Sequence, residues 1–328
     1  MNPKISIIMP VYNKARYLHT VLDQIQNQSF NDFECIIIDD GSTDCSADIM
    51  DAFAERDQRF KVIHKENGGV SLARNTGIDI ASGDYITFID ADDEIKNCFL
   101  ESLYTPAIAT NADLIVGGCD KFWDDSDKII ERGCPFEGLV SIDMVFKSFA
   151  EVQYKSGLYG FCWNKLIPSG IVKNIRFNEN IRLAEDLDFY LSVYPKIKNV
   201  YFLRERNYLY RQEAENSSVM IQDKDIDYFA QINIQHKMYK MLEDAGALTT
   251  NDKLVSNRIY DFVYCSIFHA PLNRITALCK SIKSLDLPVN ADIDSGNFRK
   301  RWILKRFEKG SYKTIAKVLR CYRKLKGF

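Results

Sequence analysis

Most of the side chains in this chain that are able to do chemistry stand in short polar clusters just after apolar runs. Asp90-Ala91-Asp92 follows the run 85–89. Two carboxylates so spaced can hold a hard divalent cation, and Mg²⁺ or Mn²⁺ commonly links such carboxylates to phosphate oxygens. The same pair also suits a helix start, where acids complement the dipole. Asp39-Asp40-Gly41-Ser42 ends a second run, 35–38. A carboxylate there can accept from a nucleobase N–H or a ribose hydroxyl, while Gly41-Ser42-Thr43-Asp44 equally supplies a turn and a cap. Tyr12-Asn13 follows Pro10, and the ring can stack on a base or simply pack. Arg74 can pair with a phosphate or stay solvated. Glu185-Asp186 precedes Leu187-Asp188-Phe189-Tyr190-Leu191. A carboxylate there can take a proton from an attacking hydroxyl, or can serve as an ordinary helix-start residue.

These clusters need a frame. Ile5-Ser6-Ile7-Ile8-Met9 reads as a strand buried on both faces, ended by Pro10. Leu18, Val21, Leu22 and Ile25 recur at helical spacing. Strands are expected at 35–38, 61–63, 85–89 and 113–116, with helices between them, one opening at Gly68-Gly69. Such alternation implies an α/β fold with a mostly parallel sheet and right-handed crossovers. Sheets of this kind bind ligands at the carboxyl ends of their strands, where Tyr12-Asn13, Asp39-Asp40 and Asp90-Ala91-Asp92 fall. Residues 120–215 read as more irregular, with a helix from Glu185-Asp186 and a short strand pair near 200–202 and 208–210. From about Asp223 the pattern turns helical. Ile226, Phe229, Ala230, Ile234, Met238, Met241, Leu242 and Ala245 share one face, Gly246 is the stop, and another helix lies near 254–268. The expected division is 1–218 and 219–328.

Composition narrows the classes. With 46% hydrophobic and 27% charged residues the chain is an ordinary globular protein, which excludes disordered and collagen-like classes. Net charge is −2, so a uniform basic coat for nucleic acid is excluded. That mean hides an asymmetry: residues 299–328 hold 12 Lys/Arg and one acid, Glu308. Nine scattered cysteines without C-x-x-C argue against a metal knuckle or a disulfide framework and fit reduced thiols in a cytosol. Neither a signal peptide nor a membrane-spanning run is expected. Dinucleotide, P-loop and nucleophile-elbow motifs are missing. A phosphatase of the haloacid-dehalogenase type would place Thr or Val two residues after the second Asp, where Asp93 and Glu94 follow instead.

In order, Ser6-Ile7-Ile8-Met9-Pro10-Val11-Tyr12-Asn13, Asp39-Asp40-Gly41-Ser42-Thr43-Asp44, Asn67-Gly68-Gly69-Val70-Ser71-Leu72-Ala73-Arg74-Asn75, Gly83 to Asp93 and Glu185-Asp186 resemble the family 2 glycosyltransferases of GT-A fold. The resemblance covers roughly residues 3–190. Trp163-Asn164-Lys165-Leu166 is similar to members that build bacterial capsule, exopolysaccharide or O-chains. The resemblance implies a Rossmann-like, mostly parallel sheet flanked by helices, with a helical C-terminal extension. It implies inverting transfer from a nucleotide-sugar, with uracil as the expected base, to a saccharide hydroxyl, and a lipid-linked acceptor is expected. It places the donor against Pro10, Tyr12, Asn13, Asp40, Arg74, Asp90 and Ala91, with Tyr12 stacking on the base and Asp40 bonding it. Mn²⁺ or Mg²⁺ would sit on Asp92 and Asp90, and Asp186 would be the base, with Glu185 its nearest competitor. Two other classes stay open: a D-x-D phosphohydrolase or phosphotransferase, and a non-catalytic nucleotide-sugar-binding relative.

In the basic tail, Ile315, Val318, Leu319, Tyr322 and Leu325 form a stripe at helical spacing, flanked by Lys313, Lys317, Arg320, Arg323, Lys324 and Lys326. Such a segment can lie on an anionic membrane, or its stripe can pack on protein. The expected location is the cytoplasm, with peripheral contact at the inner face of the cell membrane through residues 299–328. A homo-oligomer is left open.

Overall fold

The computed structural model describes residues 2–212, 226–288, 291–293 and 297–326, with side chains up to residue 324 in the last helix. The chain divides into two compact units, Met1–Val145 with Val152–Met220, and Phe146–Glu151 with Ile221–Phe328. The expected boundary at 218/219 lies outside the described residues.

The first unit runs β1 (Ile5–Val11), α1 (Ala15–Gln26), β2 (Phe33–Asp39), α2 (Ser46–Arg56), β3 (Phe60–His64), α3 (Val70–Ile80), β4 (Tyr85–Phe88), β5 (Glu94–Ile95), α4 (Phe99–Thr110), β6 (Ile115–Trp123), β7 (Ser126–Arg132) and β8 (Gly138–Ser141). Then follow α5 (Ile142–Ser156), β9 (Lys165–Pro168), α6 (Ser169–Val172), α7 (Glu185–Val193) and β10 (Asn199–Gln212). The sheet order is β3-β2-β1-β4-β9-β6-β10-β5, with β7 on β6 and β8 on β10. The β3-β2-β1-β4 ladder is wholly parallel, as is β6 with β10, while β9 joins β4 to β6 antiparallel to both.

The apolar runs form this core because both their faces are covered. Ile5, Ile7, Ile8 and Met9 are fully buried, as are Leu18, Val21, Leu22 and Ile25 of α1. Burying a side chain of this kind contributes about 1.5–3 kcal/mol. Gly77 lets α3 lie close to β1: a Cβ there would stand 2.3 Å from Ile8 Cγ2.

Two expectations change. Pro10 does not end β1, because it stays in register opposite Ile38. Val11 accepts the Asp40 N–H on the β2 side, so the alternation turns Pro10 toward β4, whose pairing with β1 stops at Ile8. A missing N–H costs nothing on an unpaired edge. The expected strand pair near 200–210 is instead one 14-residue strand, β10, with irregularities on both sides of Arg206. A bulge breaks the two-residue alternation by which a continuous strand is recognised.

The second unit is helical: α8 (Tyr228–Asp244), α9 (Leu248–His269), α10 (Ile275–Lys283), α11 (Phe298–Glu308) and α12 (Tyr312–Lys326), with segment 146–151 of α5. The helix expected from Asp223 begins at Tyr228; Asp223 lies outside the described residues. Buried Asn251 fixes the α5 segment, accepting the Ala150 N–H at 2.9 Å and donating to Phe146 O at 2.8 Å. The tail's stripe is largely spent inside this unit. Ile315 and Leu319 are buried, and Tyr322 lies against Arg299 and Phe268, because α12 packs on α10 and α11. Val318 alone of these stays well exposed, and the side chain of Leu325 lies outside the described residues. Insertion of the whole stripe into a membrane is therefore set aside. Among the described residues no helix is long and apolar enough to cross a membrane.

Candidate active site

The carboxyl ends of β1, β2 and β4 converge with the start of α7. After β1, Asn13 takes a left-handed backbone, φ 52°, which Asn tolerates. Its Oδ1 accepts from the Thr43 N–H at 2.8 Å. The N–H groups of Asn13, Lys14 and Ala15 donate to Ser42 Oγ, Ser46 Oγ and Asp44 Oδ2 at 3.1, 2.9 and 3.1 Å. The first loop is thus stitched to the second, and Asn13 serves as scaffold. Tyr12 stays 48% exposed, its ring at the sheet edge, as stacking requires. Half-buried Pro10 holds the strand beneath it.

Asp40 is placed differently from a free base-reader. It is buried, and its oxygens accept from the N–H groups of Gly68 and Gly69 at 2.9 and 2.7 Å and from Lys65 Nζ. Gly69 has φ 91° and Gly41 φ 75°, conformations that favour glycine and let the two loops close on this carboxylate. A nucleobase would have to share an oxygen already holding this turn. Asp39 is turned to Ser42 N–H at 2.9 Å and His64 Nδ1 at 2.8 Å.

Arg74 is buried in α3, where it joins two clusters. One terminal nitrogen donates to Glu185 Oε1 at 2.9 Å and the other to Asp90 Oδ1 at 3.0 Å. The two terminal nitrogens of the residue expected beside the nucleotide thus hold carboxylates. The Nε, also buried, has no hydrogen-bond partner among the described residues.

Burial pushes the Asp90 carboxyl upward, Arg74 pulls it back and Asp92 adds to the rise. Ala91 is buried between the two acids. Asp92 meets Lys14 Nζ at 2.5 Å, with about a third of each side chain open. Behind them Asp93 accepts from Tyr208 Oη at 2.7 Å and from the Arg211 N–H at 2.9 Å; burial and then Asp92 and Asp90 hold its carboxyl far above the usual range. Arg211 also donates to Asp92 O at 2.8 Å and pairs with Glu94 and Asp124. Trp163 stacks on Tyr208 at 4.6 Å, and buried Lys165 donates to Leu158 O at 2.8 Å and Asn164 Oδ1 at 3.1 Å, its pKa lowered by burial to about 8. The Trp163-Asn164-Lys165 segment thus buttresses the D-x-D loop from behind.

Ala184, just before α7, is held at φ 63°, a strained position for a residue with a Cβ. It sets the direction in which Glu185 and Asp186 leave the chain. Asp186 accepts from the Leu187 N–H at 2.8 Å. Burial, then the charge of Glu185, pushes its pKa up to about 7 against the pull of Arg74. The residue is partly exposed.

The acids suit a divalent cation. Asp90 and Asp92 offer hard oxygen ligands, and the carboxyls of Asp90, Asp93 and Asp186 are raised by burial first and by neighbouring acids after it, a cost of holding charge there that a cation relieves. Among the described residues no three His, Cys, Asp or Glu side chains form a complete cage, so the remaining ligands would come from a diphosphate and water. Lys14, Lys65, Arg211 and the Arg74–Glu185 bond were missed in sequence. Lys14 stands next to Tyr12-Asn13, the one signal that could have raised it.

The profile of the family described as "Glycosyl transferase family 2" matches residues 6–164. The chain is similar to the glycosyltransferase GlyG of Streptococcus pneumoniae, at 30% identity over 70% of this chain and 76% of that protein. It is 34% identical to GlyA of the same organism over 64% of this chain, a match that spans only 31% of GlyA. Among solved structures, S. aureus TarS 1-349 in complex with UDP-GlcNAc shares the fold with TM-score 0.67 and 17% identity, over 98% of this chain and 92% of TarS 1-349. The chain thus belongs to glycosyl transferase family 2.

Proposed function

We propose that the protein is an inverting, metal-dependent glycosyltransferase that moves a sugar from a nucleoside-diphosphate donor, with UDP the expected carrier, to a hydroxyl of a saccharide acceptor. The supporting observation is the Arg74 bridge: one guanidinium holds the D-x-D loop through Asp90 and the start of α7 through Glu185. The bridge brings the start of α7 to the D-x-D loop, close enough for the charge of Asp90 to act on the Asp186 carboxyl.

In this reading Tyr12 stacks on the base and the loop at Asp40 frames it, with Asn13 and Pro10 holding the strand end in place. Asp90 and Asp92 would hold Mn²⁺ or Mg²⁺, which would stabilise charge on the departing diphosphate. Asp186 takes the proton of the acceptor hydroxyl as its oxygen attacks the anomeric carbon. The bond to the diphosphate oxygen breaks as the new one forms, and the leaving group carries away the electron pair. Attack from the face opposite the leaving group inverts the centre.

The test is a donor screen with the purified protein and saccharide acceptors. Nucleoside diphosphate released only when acceptor is present, with an inverted product, supports the assignment. Free phosphate instead would favour the D-x-D phosphohydrolase, and binding without turnover a non-catalytic relative.

The acceptor is proposed to be lipid-linked, in bacterial surface polysaccharide synthesis at the cytoplasmic face of the membrane. The supporting feature is the solvent side of α12. Lys313, Lys317, Arg320 and Lys324 are exposed at helical spacing, opposite buried Ile315 and Leu319. Each contributes about 1 kcal/mol beside an anionic bilayer, screened by salt. Neutralising these four should release the protein from anionic vesicles while sparing transfer to a small soluble acceptor. Absence of binding at low salt would remove the membrane from the proposal.

A further inference from the structure

The loop that carries Tyr12 hangs on the turn after β2. Ser42 Oγ accepts the Asn13 N–H at 3.1 Å, and Asn13 Oδ1 accepts the Thr43 N–H at 2.8 Å. That turn is fixed by Asp39, whose Oδ1 accepts the Ser42 N–H at 2.9 Å. The Asp39 side chain is only 5% exposed, and its other oxygen meets His64 Nδ1 at 2.8 Å. His64 ends β3, and its Nε2 meets Asp51 Oδ1 of α2 at 3.1 Å. An ionised carboxylate can only accept, so both ring nitrogens must donate and the ring between them is an imidazolium. Burial works to raise the Asp39 carboxyl, but the bonds from Ser42 and His64 outweigh it and hold it below its ordinary value. The bond to Asp39 raises the His64 imidazole against burial, and Asp51 adds to the rise. Among the described residues the charged groups facing the ring are Asp39 from β2 and Asp51 from α2, while Lys65, next along the chain, turns to Asp40.

We propose that His64 is a positioning residue of the donor site: its imidazolium ties β3 and α2 to Asp39, and through Asp39 and Ser42 it fixes the loop from which Tyr12 meets the nucleobase. This rests on the placement of Tyr12 against the base. A neutral ring can donate to only one of the two carboxylates, and the other then faces a lone pair. Either α2 is released or Asp39 loses its partner. In both cases the positive charge beside Asp39 is gone, and any bond that remains has lost the assistance of that charge. The loop then spends less time in the conformation that presents Tyr12, and binding must supply the cost of ordering it. Affinity for a nucleoside diphosphate is therefore highest while His64 is charged, and it falls as pH rises through a value above the ordinary 6.5. Asp90, Asp92 and Asp186 stand on other elements, so the chemical step keeps its rate.

The test measures UDP binding by calorimetry with Mg²⁺ present, at about pH 6 and about pH 8.5, in wild type, His64→Phe, His64→Leu, His64→Arg, Asp51→Asn and Tyr12→Ala. At the lower pH the Phe and Leu variants should bind UDP roughly 10-fold more weakly than wild type, within the usual range of coupling between linked sites. Between the two pH values wild type should lose about threefold more affinity than they do, the low end of such coupling. Titration of the phosphate and of the cleft acids is common to all, so the difference isolates residue 64. His64→Arg keeps charge and donors, and should bind near wild type without the extra loss at high pH. Asp51→Asn, at an exposed position, should move that loss to lower pH, because the ring keeps only one anionic partner. In turnover the change should fall on the donor KM, with kcat within about twofold of wild type. Melting curves identify any variant that has lost its fold, and the second neutral variant and Asp51→Asn then stand in for it. UDP affinity equal to wild type in both neutral variants, with loss in Tyr12→Ala, overturns the inference and leaves the base site intact. Unchanged affinity in Tyr12→Ala removes the base site, and the role of His64 with it.

Discussion

The loop 90–94 and the start of α7 each present neighbouring acids around Arg74, yet they are held in opposite ways. In the loop, Asp90 is matched by Arg74 at 3.0 Å and Asp92 by Lys14 at 2.5 Å. At the helix start only Glu185 is matched, again by Arg74, and among the described residues Asp186 has no ion pair. Its carboxyl is pushed up to about 7 by burial and by Glu185. Pairing with a cation favours the charged form, as Arg74 does at Asp90 against the rise that burial imposes, and this suits holding a metal and a diphosphate. Enclosure without a partner brings the pKa near neutrality, which suits moving a proton. In the proposed function, adjacent acids of the same chemistry would thus take separate tasks by virtue of their surroundings.

The sharpest way to break this contrast is to neutralise one member on each side. Asp186→Asn should lower the transfer rate 10²–10⁴-fold while donor and Mn²⁺ affinity stay close to wild type. Asp92→Asn should remove most activity by weakening metal binding, with little change in melting temperature, because the residue lies at the surface of the cleft. Glu185→Gln, the matched control, should cost less than Asp186→Asn, because Glu185 acts through Arg74. Steady-state rates with separate donor and metal titrations distinguish the two sides. Near wild-type turnover in Asp186→Asn would end its assignment as base.

The pH dependence sharpens the same contrast. A base must be ionised to accept a proton, so the rate should fall about tenfold per pH unit below about pH 7, on a limb that Asp186→Asn lacks. Stability carries the opposite sign. A carboxyl raised on folding favours the folded state at low pH, and that contribution is lost as pH rises from the unfolded value through about 7. Asp186→Asn should therefore melt near wild type at pH 4 and be more stable above pH 7. The gain should be roughly 1–3 kcal/mol, discounted because the side chain is partly open to solvent. Denaturation at the two pH values measures it.

Sequence reasoning reached the parallel half of the fold because its signals are local. β1, β2 and β4 are apolar runs closed by polar clusters, and the clusters mark the site. Asp90, Asp92 and Asp186 were legible as types in a pattern. Their partners were not, because Arg74–Glu185 joins residues 111 apart and nothing local announces it. Asp40 illustrates the same gap: its motif is visible, while its capture of Gly68 and Gly69 depends on the approach of two loops. The alternation in β10 was hidden by its irregularities, and the short antiparallel strands β7 and β8 are mostly exposed, so they carry little hydrophobic pattern. In α12 the stripe was visible but its cover was not: Ile315 and Leu319 fit a helical core as well as a lipid surface.

The smallest expected effect probes whether the backbone alone aims Asp186. Ala184 sits at φ 63°, ψ 31°, where a Cβ costs roughly 1–2 kcal/mol relative to glycine. Ala184→Gly removes that strain but adds about 0.5–1 kcal/mol of freedom to the unfolded chain. The net should be a stability change between zero and a gain of about 1 kcal/mol, with turnover within about threefold if surrounding contacts impose the left-handed turn. Ala184→Val should do the reverse, because a β-branched side chain is poorly accommodated there. It should lower stability by about 1–2 kcal/mol and reduce kcat more than KM, since α7 would leave the turn at another angle and carry Asp186 off its line. A glycine variant that keeps its stability but loses activity by more than tenfold would show that rigidity at residue 184, rather than the neighbouring contacts, sets the aim of the base. The contrast between the two carboxylate pairs would then rest on backbone conformation at least as much as on charge pairing.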